Sequence, residues 1–308
     1  MVDRPSVVDL SPQVEDALAR GTPLVAFESA VISHGLPAPT GVQTAAALES
    51  AARADGAVAA TIAVIDGRIK VGLTPQMLER VARPGTMKVA ARDLAVALAT
   101  HATGGTTVSA TVVVADLVGI AVMSTGGIGG VHLGAIETWD ISADLQTLAR
   151  HPVAVVCAGV KAICDVGRTL EVLDSAGVTV VAYRTDRFPG FYVRDSGYPA
   201  PHRIETVGDA ASILAAKRAL GQRSGLLVAN PIPEDQALPD AQVRDAVTRA
   251  VAQARAAGVR GGELTPYLLA ALAELTGGAA IRANCALLGA NATLAAQIAR
   301  AVASVGQE

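Results

Sequence analysis

The stretch "VVCAGVKAIC", Val155 to Cys164, holds one cation, Lys161, between an apolar run and further apolar residues. A lysine at the carboxyl end of a buried strand lies where open α/β sheets bind ligands. Apolar surroundings favour its neutral form, and a neutral amine attacks carbonyl carbon and forms a Schiff base. The plainer reading is a lysine at a helix start that extends its ammonium to water. "AFESAVISHGLP", Ala26 to Pro37, closes an apolar strand with Glu28 and continues through a loop bearing His34. A carboxyl group partly shielded at a strand end stays protonated and serves as a general acid. The alternative is a helix cap or a surface carboxylate.

Other motifs point to anions and metals. "GGTTVSAT", Gly104 to Thr111, offers hydroxyls and amides around Val108 at a helix N-terminus, a usual anion site. "KVAARDL" places Lys88 at a strand end, suited to a phosphate as a point charge. "DISADL" carries Asp140, Ser142, Ala143 and Asp144. Two carboxylates four apart suit a hard divalent cation completed by water; equally, Asp140 or Ser142 caps a helix. "TGGIGGVH", Thr125 to His132, follows a strand as phosphate loops do, but it lacks both the dinucleotide fingerprint and the GK[ST] of a P-loop. Its glycines instead allow backbone to approach a ligand. Asn230, Asn284 and Asn291 end apolar runs, where their amides orient polar groups or cap. An amine, an acid, a metal carboxylate and several anion sites together suit a phosphorylated aldehyde or sugar.

Alternating elements must position these residues. Apolar runs at 24–28, 60–65, 68–72, 87–90, 120–124, 153–158, 178–183 and 225–230 read as strands covered on both faces. "VIDGRIKVG" reads as a hairpin on Asp66-Gly67, which makes the sheet mixed. Helices are expected at 13–19, 40–54, 91–98, 109–118, 161–176, 207–220, 235–257, 264–275 and 293–305. Residues 185–202, with three prolines, read as a functional loop or subunit contact. This alternation implies a layered α/β fold, and no boundary divides residues 1–308.

Composition excludes several classes. Net charge is −3 and aromatics are 3%, so neither a basic face nor a stacking platform for nucleic acid is present. Hydrophobic residues reach 51%, which implies large buried sheets or a subunit interface. The near-apolar run from Val108 to Met123 is too short to span a bilayer, and "MVDRPSVVDL" has no apolar signal core. A cytoplasmic, soluble protein is expected. Cys157, Cys164 and Cys285 read as reduced core thiols.

The segments "FESAVISHGLP", "TIAVIDGRIKVGL", "GGTTVSAT", "TGGIGGVH", "DISADL", "VAVVCAGVKAICD", "LVANPIP" and "LTPYLL", in this order, resemble the pseudouridine-5′-phosphate glycosidase family, also called indigoidine synthase A-like. The resemblance implies a three-layer α/β/α fold with a mixed, mostly parallel sheet, a homotrimer, and a divalent metal, commonly manganese. It implies reversible cleavage of the C–C glycosidic bond of pseudouridine 5′-phosphate to uracil and ribose 5-phosphate. By resemblance Lys161 is the nucleophile, Glu28 the proton donor and Asp140 the metal ligand. Ser142, Ala143 and Asp144 line the phosphate-metal region. Lys88 and Val108 contact substrate, and His132 and Asn284 lie near sugar and base. The chain departs from the family pattern at Ala30, Ala90, Ala91, Leu133, Gly289 and Ala290. Some relatives join ribose 5-phosphate to a polyketide aromatic, so a larger aromatic aglycone is the second reading. A non-catalytic sugar-phosphate binder is the third, and the surviving amine, acid and metal residues weigh against it.

Overall fold

Val, Ile and Ala runs build the centre of the molecule because strands covered on both faces need small or β-branched apolar side chains throughout. The computed structural model describes residues 5–259 and 261–305. In chain order the strands are β1 (Val8–Leu10), β2 (Leu24–Phe27), β3 (Val58–Ile65), β4 (Arg68–Val71), β5 (Met87–Val89), β6 (Gly104–Thr106), β7 (Val122–Ser124), β8 (Val131–His132), β9 (Ala154–Cys157), β10 (Cys164–Asp165), β11 (Thr179–Tyr183), β12 (Arg203–Ile204) and β13 (Leu226–Ala229). The main sheet runs β1-β4-β3-β2-β7-β9-β13-β11-β12, with β6 and β5 branching from β3. β3 pairs antiparallel with β4 and β6; the other neighbours in this sheet are parallel. The expected hairpin is present, with Asp66 and Gly67 both at positive φ (50° and 71°). β2, β9 and β13 are buried along their whole length.

Helices cover the sheet. Thr40–Ala54, Val207–Ala219 and Ala279–Val305 pack as neighbours, the last against β2, β7 and β9. Val108–Val118 pairs with Ala143–Leu148 and packs on β2, β3, β6 and β7. The fold is a layered α/β structure with a mixed, mostly parallel sheet. Because β2, β7, β9 and β13 are parallel neighbours, the segments that follow them emerge along one edge.

Several boundaries differ from the sequence reading. No helix begins at Lys161; it begins at Val166, where the Asp165 carboxylate accepts the Arg168 N–H at 3.0 Å and caps the first turn. The helix expected from residue 235 starts at Asp240, after a short 3-10 turn at Glu234–Gln236. The last helix starts at Ala279, not near residue 293, and runs 27 residues. It is long and apolar enough to cross a membrane by length and composition, but half of that window is buried inside the protein, as in a core helix.

Candidate active site

Strand ends supply the functional groups, and hydroxyls fix the strand ends. Glu28 directly follows β2. Beside it, Ser29 Oγ donates to the Ile62 carbonyl at 2.6 Å and accepts the Thr106 N–H at 3.0 Å. Thr106 Oγ1 donates to the same carbonyl at 2.6 Å, so β2, β3 and β6 are tied at one point. The Glu28 carboxyl group also accepts a short hydrogen bond from Thr125 Oγ1, just past β7. Burial pushes the Glu28 pKa above the ordinary carboxylate value. The Lys161 charge and the Thr125 hydrogen bond oppose this without cancelling it. Glu28 is thus an acid held protonated beyond the usual carboxylate range.

Lys161 arrives along an extended segment rather than on a helix. After β9 the chain runs beside residues 126–128: the Ala158 N–H donates to the Gly126 carbonyl (2.8 Å), Ile128 to Gly159 (3.1 Å), and Lys161 to Ile128 (2.9 Å). Gly159 sits at φ +90°, and a Cβ there would lie 2.3 Å from the Pro189 carbonyl oxygen, so only glycine fits. The 185–202 loop folds over this segment. The Phe191 N–H donates to the Ala158 carbonyl at 3.0 Å, and the ring covers Gly127, where a Cβ would meet Phe191 Cδ2 at 2.5 Å. The glycines of "TGGIGG" therefore permit close packing and hold no nucleotide turn.

Glu28, Lys88, Lys161 and Asn284 line one cavity, together with Ala30, His34, Thr107, Gly126, Phe191, Thr265 and Leu269. Burial and the Lys161 ammonium pull the Lys88 pKa down; the carboxylates of Asp144, Glu28 and Glu263 pull the other way. The chain has four lysines. Lys70 is paired with Asp9 at 2.6 Å, and Lys217 is enclosed by Thr179, Gln222 and Ser224 at 3.0–3.1 Å. That leaves Lys88, whose Nζ donates to the Gly262 carbonyl at 3.2 Å, and Lys161, both at the cavity.

The remaining expected residues adjoin the cavity without lining it. Asp144 is buried, and its two oxygens accept the Ser109 N–H (2.9 Å) and the Gly129 N–H (2.8 Å). It therefore ties the helix beginning at Val108 to the glycine segment and is not a free metal carboxylate. Ser142 caps the helix Ala143–Leu148, the Asp144 N–H donating to its Oγ at 3.2 Å. Val108 is buried at the first turn after Thr107. His132 is buried with no hydrogen-bond partner for Nδ1; burial lowers its pKa while Asp140 opposes the shift. Its N–H donates to the Asp140 carbonyl at 3.0 Å. Among the described residues no three His, Cys, Asp or Glu side chains gather around a metal position. One carboxylate beside a buried imidazole fits a hard cation that keeps most of its water, and does not fit a closed structural metal.

Sequence reasoning missed Thr125 as the partner of Glu28, and it missed Phe191, Thr265 and Leu269. "FPGFY" was the available signal, since it holds two of the chain's three phenylalanines. Of the family departures, Ala30 lines the cavity. Leu133 is exposed, and a Cβ on Gly289 would meet open space.

Comparisons with known proteins identify the family. The family model described as "Indigoidine synthase A like protein" matches residues 13–301. A pseudouridine-5′-phosphate glycosidase of Rhodospirillum centenum is 56% identical over 98% of this chain and 94% of its own. One from Methylobacterium nodulans is 50% identical over 96% of this chain and 88% of its own. The crystal structure of the prealnumycin C-glycosynthase AlnA in complex with ribulose 5-phosphate superposes with a TM-score of 0.91 at 37% identity, covering 98% and 99% of the two chains. An indigoidine synthase A-like protein of Thermotoga maritima superposes with a TM-score of 0.87 at 33% identity, covering 95% of each. The chain belongs to the indigoidine synthase A-like family.

Proposed function

We propose that the protein is a C-glycosidase that splits pseudouridine 5′-phosphate and water into uracil and ribose 5-phosphate, in a reversible reaction. The observation that supports this most is that Lys161 and the desolvated acid Glu28 line one cavity, with Lys88 beside them. A C–C glycosidic bond has no leaving oxygen to protonate, so two-carboxylate glycosidase chemistry has nothing to act on. An amine at C1′ supplies the missing driving group: its lone pair stabilises C1′ as an iminium when the base carbon leaves with the bonding electrons. Lys161 Nζ bonds to C1′ while the bond from C1′ to the ring oxygen breaks, and that oxygen takes the proton of Glu28. The C1′–base bond then breaks with its electron pair going to the base carbon, which takes the proton that the C1′-bound amine gives up, and the freed nitrogen lone pair closes the iminium. The iminium left on C1′ takes up water, returning neutral Lys161, releasing ribose 5-phosphate and giving its spare proton back to the Glu28 carboxylate.

Lys88 suits the substrate phosphate as a half-buried point charge, and the turns at Val108 and at Ser142, Ala143 and Asp144 adjoin it on the side where the phosphate would sit. His132 and Asn284 lie toward sugar and base. Asp140 would hold a divalent cation, manganese by family preference, whose chemistry is to neutralise phosphate charge. The exposed Leu133, Ile136, Trp139 and Ile141 form an apolar patch that supports a homotrimer, and the composition supports a cytoplasmic location.

Ribosylation of a larger aromatic is the second reading. The cavity opens past His34 and Asn284 into an apolar hollow of about 460 Å³ lined by Tyr192, Leu269 and Ile281, which has room for one. Identity of 47–56% to pseudouridine-5′-phosphate glycosidases against 37% to the C-glycosynthase favours uracil. Uracil release from pseudouridine 5′-phosphate tests the choice. A kcat/KM of about 10⁴ M⁻¹s⁻¹ or more is expected; negligible release alongside ribosylation of an aromatic would reverse it.

A further inference from the structure

Asn291 and its partner Asn230 are side chains beside the site that the mechanism leaves idle. Asn291 is fully buried on the last helix. Its Nδ2 donates to the Thr125 carbonyl at 2.9 Å and to the Gly126 carbonyl at 3.4 Å. Its Oδ1 accepts from Asn230 Nδ2 at 3.0 Å. Asn230 is anchored in turn at the end of β13, its N–H donating to the Cys157 carbonyl at 2.7 Å. The amide orientation is determined by its neighbours: a flipped Asn291 would set its oxygen against two carbonyls and its NH2 against another NH2. Asn284, Leu287 and Leu288 share the same helix face, and each would touch a Cβ on Gly126 at 3.2–3.4 Å. That face therefore clamps residues 125–126 from one side, while the Thr125 N–H donates to the Val156 carbonyl at 3.0 Å from the other. What the clamp leaves pointing at the site is the Thr125 hydroxyl, bonded to the Glu28 carboxyl group.

Resting on the lysine–acid reading above, we propose that Thr125, held by Asn291 and Asn230, is a positioning residue that orients Glu28 and sets the pH at which its proton is lost. Lys161 after β9, Lys88 in β5 and Asp144 in the helix after Ser142 also face Glu28. Their charges act at longer range, while the Thr125 hydroxyl is its hydrogen-bonded neighbour. A hydroxyl donating to a carboxylate stabilises the ionised form. Its removal makes Glu28 harder to ionise, so the alkaline limb of the rate profile moves to higher pH, and a misoriented acid transfers its proton more slowly.

The test compares Thr125→Val, Thr125→Ser and Asn291→Leu by pH profiles of kcat and kcat/KM on pseudouridine 5′-phosphate. Thr125→Val should lower kcat by about 10- to 100-fold, the scale of one hydrogen bond to a charged group, with a smaller change in KM. Its alkaline limb should move up, Thr125→Ser should restore both values, and Asn291→Leu should move the limb in the same direction. An unmoved limb in Thr125→Val, or a Ser variant no better than Val, overturns the proposal. Should Asn291→Leu fail to fold, the Thr125 pair decides alone. Borohydride trapping of ribose 5-phosphate on Lys161 in each variant separates the two levels. Trapping with an unmoved limb refutes the positioning role only, and absent trapping in the wild type refutes the Schiff base beneath it.

Discussion

Glu28 keeps its proton through desolvation. Most carboxylates of this chain lie at the surface, several in ion pairs such as Arg80–Asp66 and Arg203–Asp186. Glu28 is instead desolvated, and its pKa rises although a lysine and a hydroxyl both favour its ionised form. The sign of the stability effect follows. A carboxyl group whose folded pKa lies above its unfolded value stabilises the fold below the unfolded pKa, and that contribution is lost as pH rises through the folded pKa. Glu28→Gln removes the ionisation. Its melting temperature relative to wild type should therefore climb as pH rises past the ordinary carboxylate range, while kcat falls by about 10²–10⁴-fold. A melting difference that stays flat with pH, or near-wild-type rates, would remove Glu28 from the acid role.

At the scale of elements, the site depends on the parallel contact between the glycine segment after β7 and the segment after β9. Gly127→Ala puts a methyl group 2.5 Å from Phe191 and 3.1 Å from the Gly159 carbonyl. Overpacking of this kind costs about 1–3 kcal/mol. It should lower the urea midpoint and raise KM by displacing Phe191 from the cavity wall; unchanged values in both would show that the wall is not rigid. The long apolar strands were legible because both of their faces are covered, which leaves an unbroken hydrophobic run. β8, β10 and β12 have two residues each, too few for any period to register. The start of the helix after Lys161 was misplaced because Ala162 and Ile163 continue a helical pattern that the Asp165 cap cuts short. Gly289, with no contact to constrain it, hid the first half of the last helix. Lys161, Glu28, Lys88 and Asn284 were legible as reactive types at the ends of apolar runs. Thr125 was not, since its bond to Glu28 joins residues 97 apart in sequence.

For the whole molecule, the notable surface feature is apolar. Trp139 is 82% exposed and Ile136 67%, both within a few residues of Asp140. Side chains of this size are usually covered in a working assembly. Sedimentation should give a particle of about three times the 31.1 kDa chain mass, and Trp139→Asp should reduce it. A monomer at micromolar concentration would rule out the trimer.

Lysine chemistry at C1′ is tested most directly by borohydride reduction in the presence of ribose 5-phosphate, followed by peptide mass spectrometry. With only four lysines in the chain, the modified position is read without ambiguity. A reduced sugar-phosphate adduct on Lys161, blocked in Lys161→Ala and absent from Lys70 and Lys217, is the expected result. An unmodified Lys161, or an adduct on Lys88 alone, would contradict the Schiff base assigned to it.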